Sequence, residues 1–303
     1  MDIHNCTICP RNCGADRTSE TLGYCGIDAR PHIAEICLHK GEEPVLGGKN
    51  GVCNVFFSSC NLRCVYCQNY AISQQKPEKK EIISIQRAAE LIAGIMCKYD
   101  VDTVGFVSPS HQVFQMVAII DLLHKRGFFP TIVYNSNGYD SPETLRVIKD
   151  YVDVYLPDFK YYDGLIAQKY SSANNYPEVA LAALKEMYWQ KGATIITDDN
   201  EIARSGLIIR HLVLPNYVEN SLKVLETIAD EISPRVHVSL MSQYYPEYKA
   251  LEINNLNRTI TIAEYQAVKQ AATQLGIVRG WFQDMASNAE YRPDFSSKDV
   301  FKG

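Results

Sequence analysis

The sequence predicts an α/β protein built on a mostly parallel sheet, with a small cysteine-rich module in front of it, and three observations carry that prediction. From Val52 onward, short apolar runs rich in β-branched residues alternate with amphipathic stretches of helical length. Each strand-like run is apolar enough to be covered on both faces, as strands flanked by helices are. Nine of the ten cysteines lie in the first 67 residues. Residues 1–50 are rich in Cys, Gly, Pro and charge, with no sustained period of 2 or 3.6.

The elements follow in order. Strands are expected at 52–57, 103–107, 131–134, 152–156, 207–214 and 236–241, six in all and parallel. The helices carry start signals: Ser84 before 85–99, Ser141 with Pro142 at the first helical position, Asn220 before 221–232, and Thr261 with Glu264 as a capping box. Three segments result: a Cys-rich metal-binding module (1–50), the sheet-forming region (51–283), and an irregular tail (284–303) expected to pack back on it.

With 303 residues, 46% apolar and 21% charged, the chain has material for a large core, which argues against disorder. A net charge of −5 gives no general attraction for nucleic acid or anionic lipid. The start lacks a basic, apolar signal, and no window approaches the roughly 18 apolar residues of a membrane span. The expected location is the cytoplasm, away from any membrane. A reducing cytosol leaves ten thiols free for metals or catalysis rather than disulfides.

The strongest motif leaves the first predicted strand: Cys60-Asn61-Leu62-Arg63-Cys64-Val65-Tyr66-Cys67. Three thiolates within eight residues can wrap one corner of an iron–sulfur cubane. The fourth iron then keeps an open position, as catalytic metals do. Structural zinc or plain buried thiols are the bland alternative, and spacing after a strand argues against them.

Cys-x-x-x-Cys-x-aromatic-Cys in this place resembles the radical S-adenosylmethionine (SAM) superfamily. The resemblance implies a partial (β/α)6 TIM-like barrel, a [4Fe-4S] cluster on Cys60, Cys64 and Cys67, and SAM bound at the unique iron. It further implies reductive cleavage of SAM to a 5′-deoxyadenosyl radical that abstracts hydrogen from a substrate, with Tyr66 helping to hold the adenine. An electron donor, flavodoxin or ferredoxin-like, is implied as partner. Beyond the cluster the chain resembles pyruvate formate-lyase activating enzyme, and above all relatives of it that carry an extra N-terminal cysteine block. The waypoints are Tyr134-Asn135-Ser136-Asn137-Gly138-Tyr139, Leu156-Pro157-Asp158-Phe159-Lys160 and Arg210-His211-Leu212-Val213-Leu214-Pro215.

All three lie at strand C-terminal ends, the face on which barrel enzymes build their sites. Strand parity turns Asp158 and Lys160 inward, and Arg210 with them. The resemblance makes Arg210 and Asp158 SAM-positioning residues and gives Lys160 to substrate or polar cofactor groups. A structural ion pair is the competing reading for each. His211 points the other way and reads as a satisfied structural histidine. Two departures from the activating enzymes stand out. Where they place Gly-Gly-Glu, this chain has Phe106-Val107-Ser108-Pro109-Ser110-His111, so Ser108, Ser110 and backbone carbonyls are left to accept from the SAM ammonium, with His111 a contact to cofactor or substrate or else part of a helix-entry turn. Asn135 stands where an aspartate helps to hold a cation, and with Ser136 it is assigned to cofactor binding.

Cys6, Cys9, Cys13 and Cys25 form a second group in a glycine-bearing stretch with no evident core. Four thiols suit tetrahedral zinc or a further [4Fe-4S] cluster, and both stay open. Cys37, Cys53, His32 and His39 are alternative ligands. Cys97 reads as core on the apolar face of its helix. The tyrosine pairs 161–162 and 244–245 follow strands and are read as packing, with a substrate mouth as the alternative. The function expected is a radical SAM oxidoreductase acting on a substrate, a glycine of a glycyl-radical enzyme by resemblance; alternatives are a small molecule, peptide or RNA, and, in a different class, a non-catalytic electron-transfer or docking protein.

Overall fold

The computed structural model describes residues 3–19, 22–75, 82–285, 293–295, 297, 300 and 301. In chain order the elements are β1 (Ile33–His39), α1 (Pro44–Gly47), β2 (Val52–Phe57), α2 (Tyr70–Ser73), α3 (Ile85–Tyr99), β3 (Thr103–Val107), α4 (Val113–Lys125), β4 (Thr131–Ser136), α5 (Pro142–Ile148) and β5 (Val154–Pro157). There follow α6 (Gly164–Ser171), α7 (Tyr176–Lys191), β6 (Ile196–Thr197), β7 (Ala203–Leu212), α8 (Val218–Glu231), β8 (His237–Met241), α9 (Ile262–Gln274) and β9 (Gly280–Phe282).

The strands form one sheet in the order β1-β2-β3-β4-β5-β7-β8-β9, with β6 attached antiparallel to β7. From β2 to β9 every pairing along this path is parallel. The path does not close, so among the described residues the architecture is the expected partial barrel. β2, β3, β4 and β5 are buried at every position, because helices cover one face and the barrel interior the other. Their sequences are accordingly apolar without alternation.

Local signals position the helices. Ser84 Oγ accepts from the Arg87 N–H at 3.0 Å and starts α3, whose Ala88, Ala89, Ile92 and Met96 pack inward at helical spacing. Ser141 caps α5, and Thr261 with Glu264 forms the reciprocal capping box of α9. Among the described residues no helix is long and apolar enough to cross a membrane.

The structure differs from expectation in four places. β1 went unread: it is an edge strand, mostly half-buried along its length, which removes the alternation that would reveal it. β9 and the two-residue β6 extend the sheet beyond the six strands expected. α8 starts at Val218 rather than after Asn220, whose amide instead accepts from Tyr162 N–H (2.9 Å) and donates to the Lys160 carbonyl (3.1 Å), pinning the segment after β5. Cys97 is exposed, because the inward stripe of α3 ends on Met96 and its neighbour turns to solvent.

Candidate active site at the strand C-terminal ends

The loop that leaves β2 is held at both flanks. Its Arg63 and Val65 N–H groups donate to the Ser171 and Tyr170 carbonyls of α6 (3.2 and 2.9 Å), and the Val65 carbonyl accepts from Ala250 N–H at 3.0 Å. Asn61 Nδ2 donates to the Tyr139 carbonyl at 2.8 Å, tying the loop to the segment after β4. Ser59 at the strand end adopts a left-handed backbone (φ 68°), the sort of local cost that the surrounding contacts must sustain.

This anchoring brings Cys60, Cys64 and Cys67 to the wall of one cavity of about 230 Å³. The same cavity is lined by Tyr66, Ser108, Asn135, Ser136, Asp158, Lys160 and Arg210, so ten residues singled out in the sequence meet in one place. Each thiol has a polar neighbour: Leu62 N–H (3.4 Å) and Asn137 Nδ2 (3.3 Å) donate to Cys60 Sγ, Ser171 Oγ lies 2.9 Å from Cys64 Sγ, and Ser73 Oγ lies 3.2 Å from Cys67 Sγ. The Tyr66 hydroxyl meets that of Tyr161 at 2.5 Å, and Tyr161 reaches Ser171 Oγ at 2.7 Å. A buried hydrogen-bond chain therefore runs from Tyr66 to Cys64.

Burial pushes the Cys64 thiol up to about 12, opposed in part by the positive charge of Lys160, and burial also raises Cys67. Free thiolates are thus disfavoured here unless a cationic group compensates them. Three thiols with hydrogen-bond partners, on one cavity and beside Lys160 and Arg210, are the donor set that an iron–sulfur cluster takes. Among the described residues no three His, Cys, Asp or Glu side chains converge tightly enough for a single metal ion.

On the same cavity, Asp158 sits between two cations, 2.5 Å from Lys160 Nζ and 2.9 Å from Arg210 Nε. Burial alone would raise its carboxyl, but Arg210 and Lys160 hold it below the usual carboxylate range. Arg210 also donates to Asn135 Oδ1 at 2.6 Å. Gly138 makes the approach possible: at φ +78° a Cβ there would stand 2.1 Å from the Asp158 carbonyl oxygen.

Sequence reasoning missed two carboxylates on this cavity, Glu42 and Glu43. They enter from the opposite end of the barrel, on the turn between β1 and β2, so missing β1 hid them. Glu42 accepts from Asn54 Nδ2 at 2.7 Å and meets His39 Nδ1 at 3.1 Å. Its burial is overcome by His39 and Arg210, which hold it down to about 2. Burial raises Glu43, and its Oε2 is buried without a hydrogen-bond partner.

Other expected residues fall elsewhere. Ser110 and His111 are buried but do not line the cavity; the His111 ring bonds the Ser58 carbonyl at 2.9 Å, and burial lowers it to about 4. His211 is a satisfied core residue, bonding the Phe159 carbonyl (2.7 Å) and Ser221 Oγ (2.9 Å). Of the tyrosine pairs, Tyr161 and Tyr244 are packed and Tyr162 is exposed. The described part of the tail packs on the sheet, with Phe295 and Phe301 against Phe56 at 5.4 and 5.9 Å between centroids. As for the alternative ligands of the N-terminal group, His32 bonds Asp28 at 2.9 Å, His39 serves the cavity, and Cys37 and Cys53 lie on the paired strands β1 and β2.

The chain is similar to several known proteins. The Radical SAM superfamily model matches residues 54–197. The uncharacterized protein MJ0674 of Methanocaldococcus jannaschii is 32% identical over 280 residues, covering 90% of this chain and 75% of that protein. The uncharacterized protein MJ0808 of the same organism is 23% identical over 210 residues, covering 67% and 55%. Among solved structures, native anSMEcpe with bound AdoMet aligns at a TM-score of 0.49 and 11% identity, over 74% of this chain and 61% of that one. SuiB of Streptococcus suis bound to S-adenosylmethionine aligns at 0.48 and 10%, over 71% and 45%. The chain thus spans less than two thirds of MJ0808 and of both of these structures.

Proposed function

Because the chain belongs to the radical SAM superfamily, we propose that Cys60, Cys64 and Cys67 hold the catalytic [4Fe-4S] cluster and that the cavity beside them binds SAM and substrate. When bound, such a cluster supplies the electron that cleaves SAM to methionine and a 5′-deoxyadenosyl radical. The protein's own task is to bind, orient and keep water out. The observation that carries the reading is the meeting of the buried Cys60 and Cys64 and the half-buried Cys67 with Asp158, Lys160 and Arg210 on one cavity.

In this reading Tyr66 packs on the adenine and Ser108, Asn135, Ser136 and Arg210 meet the polar groups of SAM. Asp158 positions the two cations, and Lys160 reaches substrate or a carboxylate of SAM. The substrate is a compound with an abstractable C–H bond. A glycine of a glycyl-radical enzyme is the activase-like version, supported by the sequence resemblance alone; neither M. jannaschii relative carries such a description. A reductant of the flavodoxin or ferredoxin type completes the system, and Cys6, Cys9, Cys13 and Cys25 form a second metal centre. A non-catalytic electron carrier would have little use for a cavity of charged groups beside a three-thiol loop.

Electron paramagnetic resonance tests the proposal. The anaerobically reconstituted, reduced protein should give a cluster signal that changes on adding SAM, with Cys67→Ala losing the SAM-responsive part. A signal indifferent to SAM, together with no SAM binding by calorimetry, contradicts it.

A further inference from the structure

Along the strands the inward face of the barrel changes from apolar to polar. On β2 Val52 is followed by Asn54, on β5 Val154 and Leu156 are followed by Asp158, and on β7 Ile208 is followed by Arg210. Val52, Val133, Val154, Leu156 and Ile208 pack with Leu46 of α1 into one buried cluster, which forms an apolar floor. Glu42 and Glu43 stand just before α1, and both line the cavity above that floor. Compensation for their charge must therefore come from within the cavity.

The cavity's own groups do not complete it. Asp158 takes a hydrogen bond from each of the two permanent cations, Lys160 Nζ at 2.5 Å and Arg210 Nε at 2.9 Å. Arg210 gives a further one to Asn135 Oδ1 at 2.6 Å. Glu42 is met by Asn54 Nδ2 and His39 Nδ1. Glu43 accepts from Ser239, the partner of Arg210 in the β7–β8 ladder, but its Oε2 is buried without a hydrogen-bond partner. Three carboxylates thus share the cavity with two permanent cations, and one carboxylate oxygen lacks a donor. A cationic N–H group placed in the cavity would answer both deficits.

Two observations narrow what that group is. Among the described residues no three His, Cys, Asp or Glu side chains are placed to hold a metal ion, whereas Phe56, Leu212 and Met241 give the same cavity an apolar wall. That combination suits an organic cation with a hydrocarbon chain. Glu43 also belongs to the turn that enters at the start of β2, while Cys60, Cys64 and Cys67 follow its end, a strand of six residues away. Such a strand spans roughly 17–20 Å. A ligand group held at the cysteines would leave the Glu43 oxygen unanswered.

We infer that Glu43 anchors the substrate: the cavity takes a compound bearing a primary alkylammonium group, which donates to Glu43 Oε2 while its alkyl chain lies along Phe56, Leu212 and Met241. This rests on the cavity being the substrate site of a radical SAM enzyme, and it names the class of substrate. Glu43 sets specificity by leaving its buried oxygen unpaired against neutral or anionic analogues.

The probe is n-butylammonium, with n-butanol and butyrate as controls of similar size, titrated by calorimetry and thermal melting into the anaerobically reconstituted full chain with and without SAM. The ammonium should bind with a Kd of about 1–10 mM and raise Tm, and neither control should. In Glu43→Gln, which keeps the side-chain shape and removes the charge, its affinity should fall at least about tenfold, the effect of one charge-assisted hydrogen bond. Circular dichroism and the urea midpoint establish that the variant is folded. Failure of the ammonium to bind the unaltered chain, equal affinity in both proteins, or equal binding of butanol overturns the inference. SAM affinity should stay within about twofold in Glu43→Gln, because distant sites act almost additively, and the SAM-loaded protein should still bind the ammonium. Competition between the two, with SAM affinity lost in the variant, would give Glu43 to SAM and refute its role in substrate binding. A cluster signal indifferent to SAM, with the ammonium still bound through Glu43, would sink the radical SAM reading and leave the ammonium site standing.

Discussion

Two cysteine loops of one chain are held in place by different means. The loop with Cys60, Cys64 and Cys67 grows out of β2, all six residues of which are buried, and hydrogen-bonds to α6 and to the segment after β4. The segment with Cys6, Cys9, Cys13 and Cys25 contains no helix or strand among its described residues and contributes few core side chains, chiefly Ile8 and Ile27. Short connections hold it to the barrel: Arg11 Nε to the Asn61 carbonyl at 2.8 Å, Thr144 Oγ1 to the Ile8 carbonyl at 2.7 Å, and Arg17 to His111. The first loop is thus carried by the barrel's own elements, while the N-terminal segment rests on these few side-chain contacts. Small modules without a core of their own commonly rely on a metal or disulfide staple, and a metal on the four thiols is the staple expected here.

The largest test of this contrast lies in the barrel. Asp158→Ala leaves Lys160 and Arg210 buried without their shared anion, and unfolding by urea should show a loss of about 3–5 kcal/mol. A loss below about 1 kcal/mol would mean that the charged trio is hydrated rather than structural.

Acid should weaken the barrel next. His111 and His211 are held neutral by burial, each lowered from 6.5 to about 4. Between those values the unfolded chain binds protons that the fold excludes, so stability is full above pH 6.5 and falls as the pH drops towards 4. At pH 5 each histidine should cost about 2 kcal/mol relative to pH 7. His211→Gln should flatten the profile of urea midpoints, and an unaltered slope would show that other groups set it.

The N-terminal segment should respond to metal where the barrel does not. Limited proteolysis should cut within residues 6–25 at least about tenfold more slowly after iron and sulfide reconstitution, with cleavage in 85–275 unaffected. Equal protection of both would erase the contrast. Smallest is the effect at Cys97, which belongs to neither loop: Cys97→Ser should change stability by less than about 0.5 kcal/mol, because the thiol is exposed.

Much of this was legible in the sequence, for identifiable reasons. The buried parallel strands announce themselves because both faces are apolar, and Cys60, Cys64 and Cys67 do so because cluster ligation needs thiols at close spacing. Asp158, Lys160 and Arg210 followed from strand parity, although parity could not say that all three would share one ion-pair network. Glu42 and Glu43 were invisible, since they reach the cavity from a turn whose flanking strand β1 carries no alternation. Cys97 was misread because a one-residue step on a helix, about 100°, separates core from solvent.

The most direct test of the central claim is an anaerobic assay for 5′-deoxyadenosine with the reconstituted, reduced protein and SAM, run beside Cys64→Ala. The account predicts product from the unaltered chain and at least about a thousandfold less from the variant, a loss of about 4 kcal/mol in transition-state stabilisation. No product from a protein with its cluster intact, or equal product from both, would contradict it.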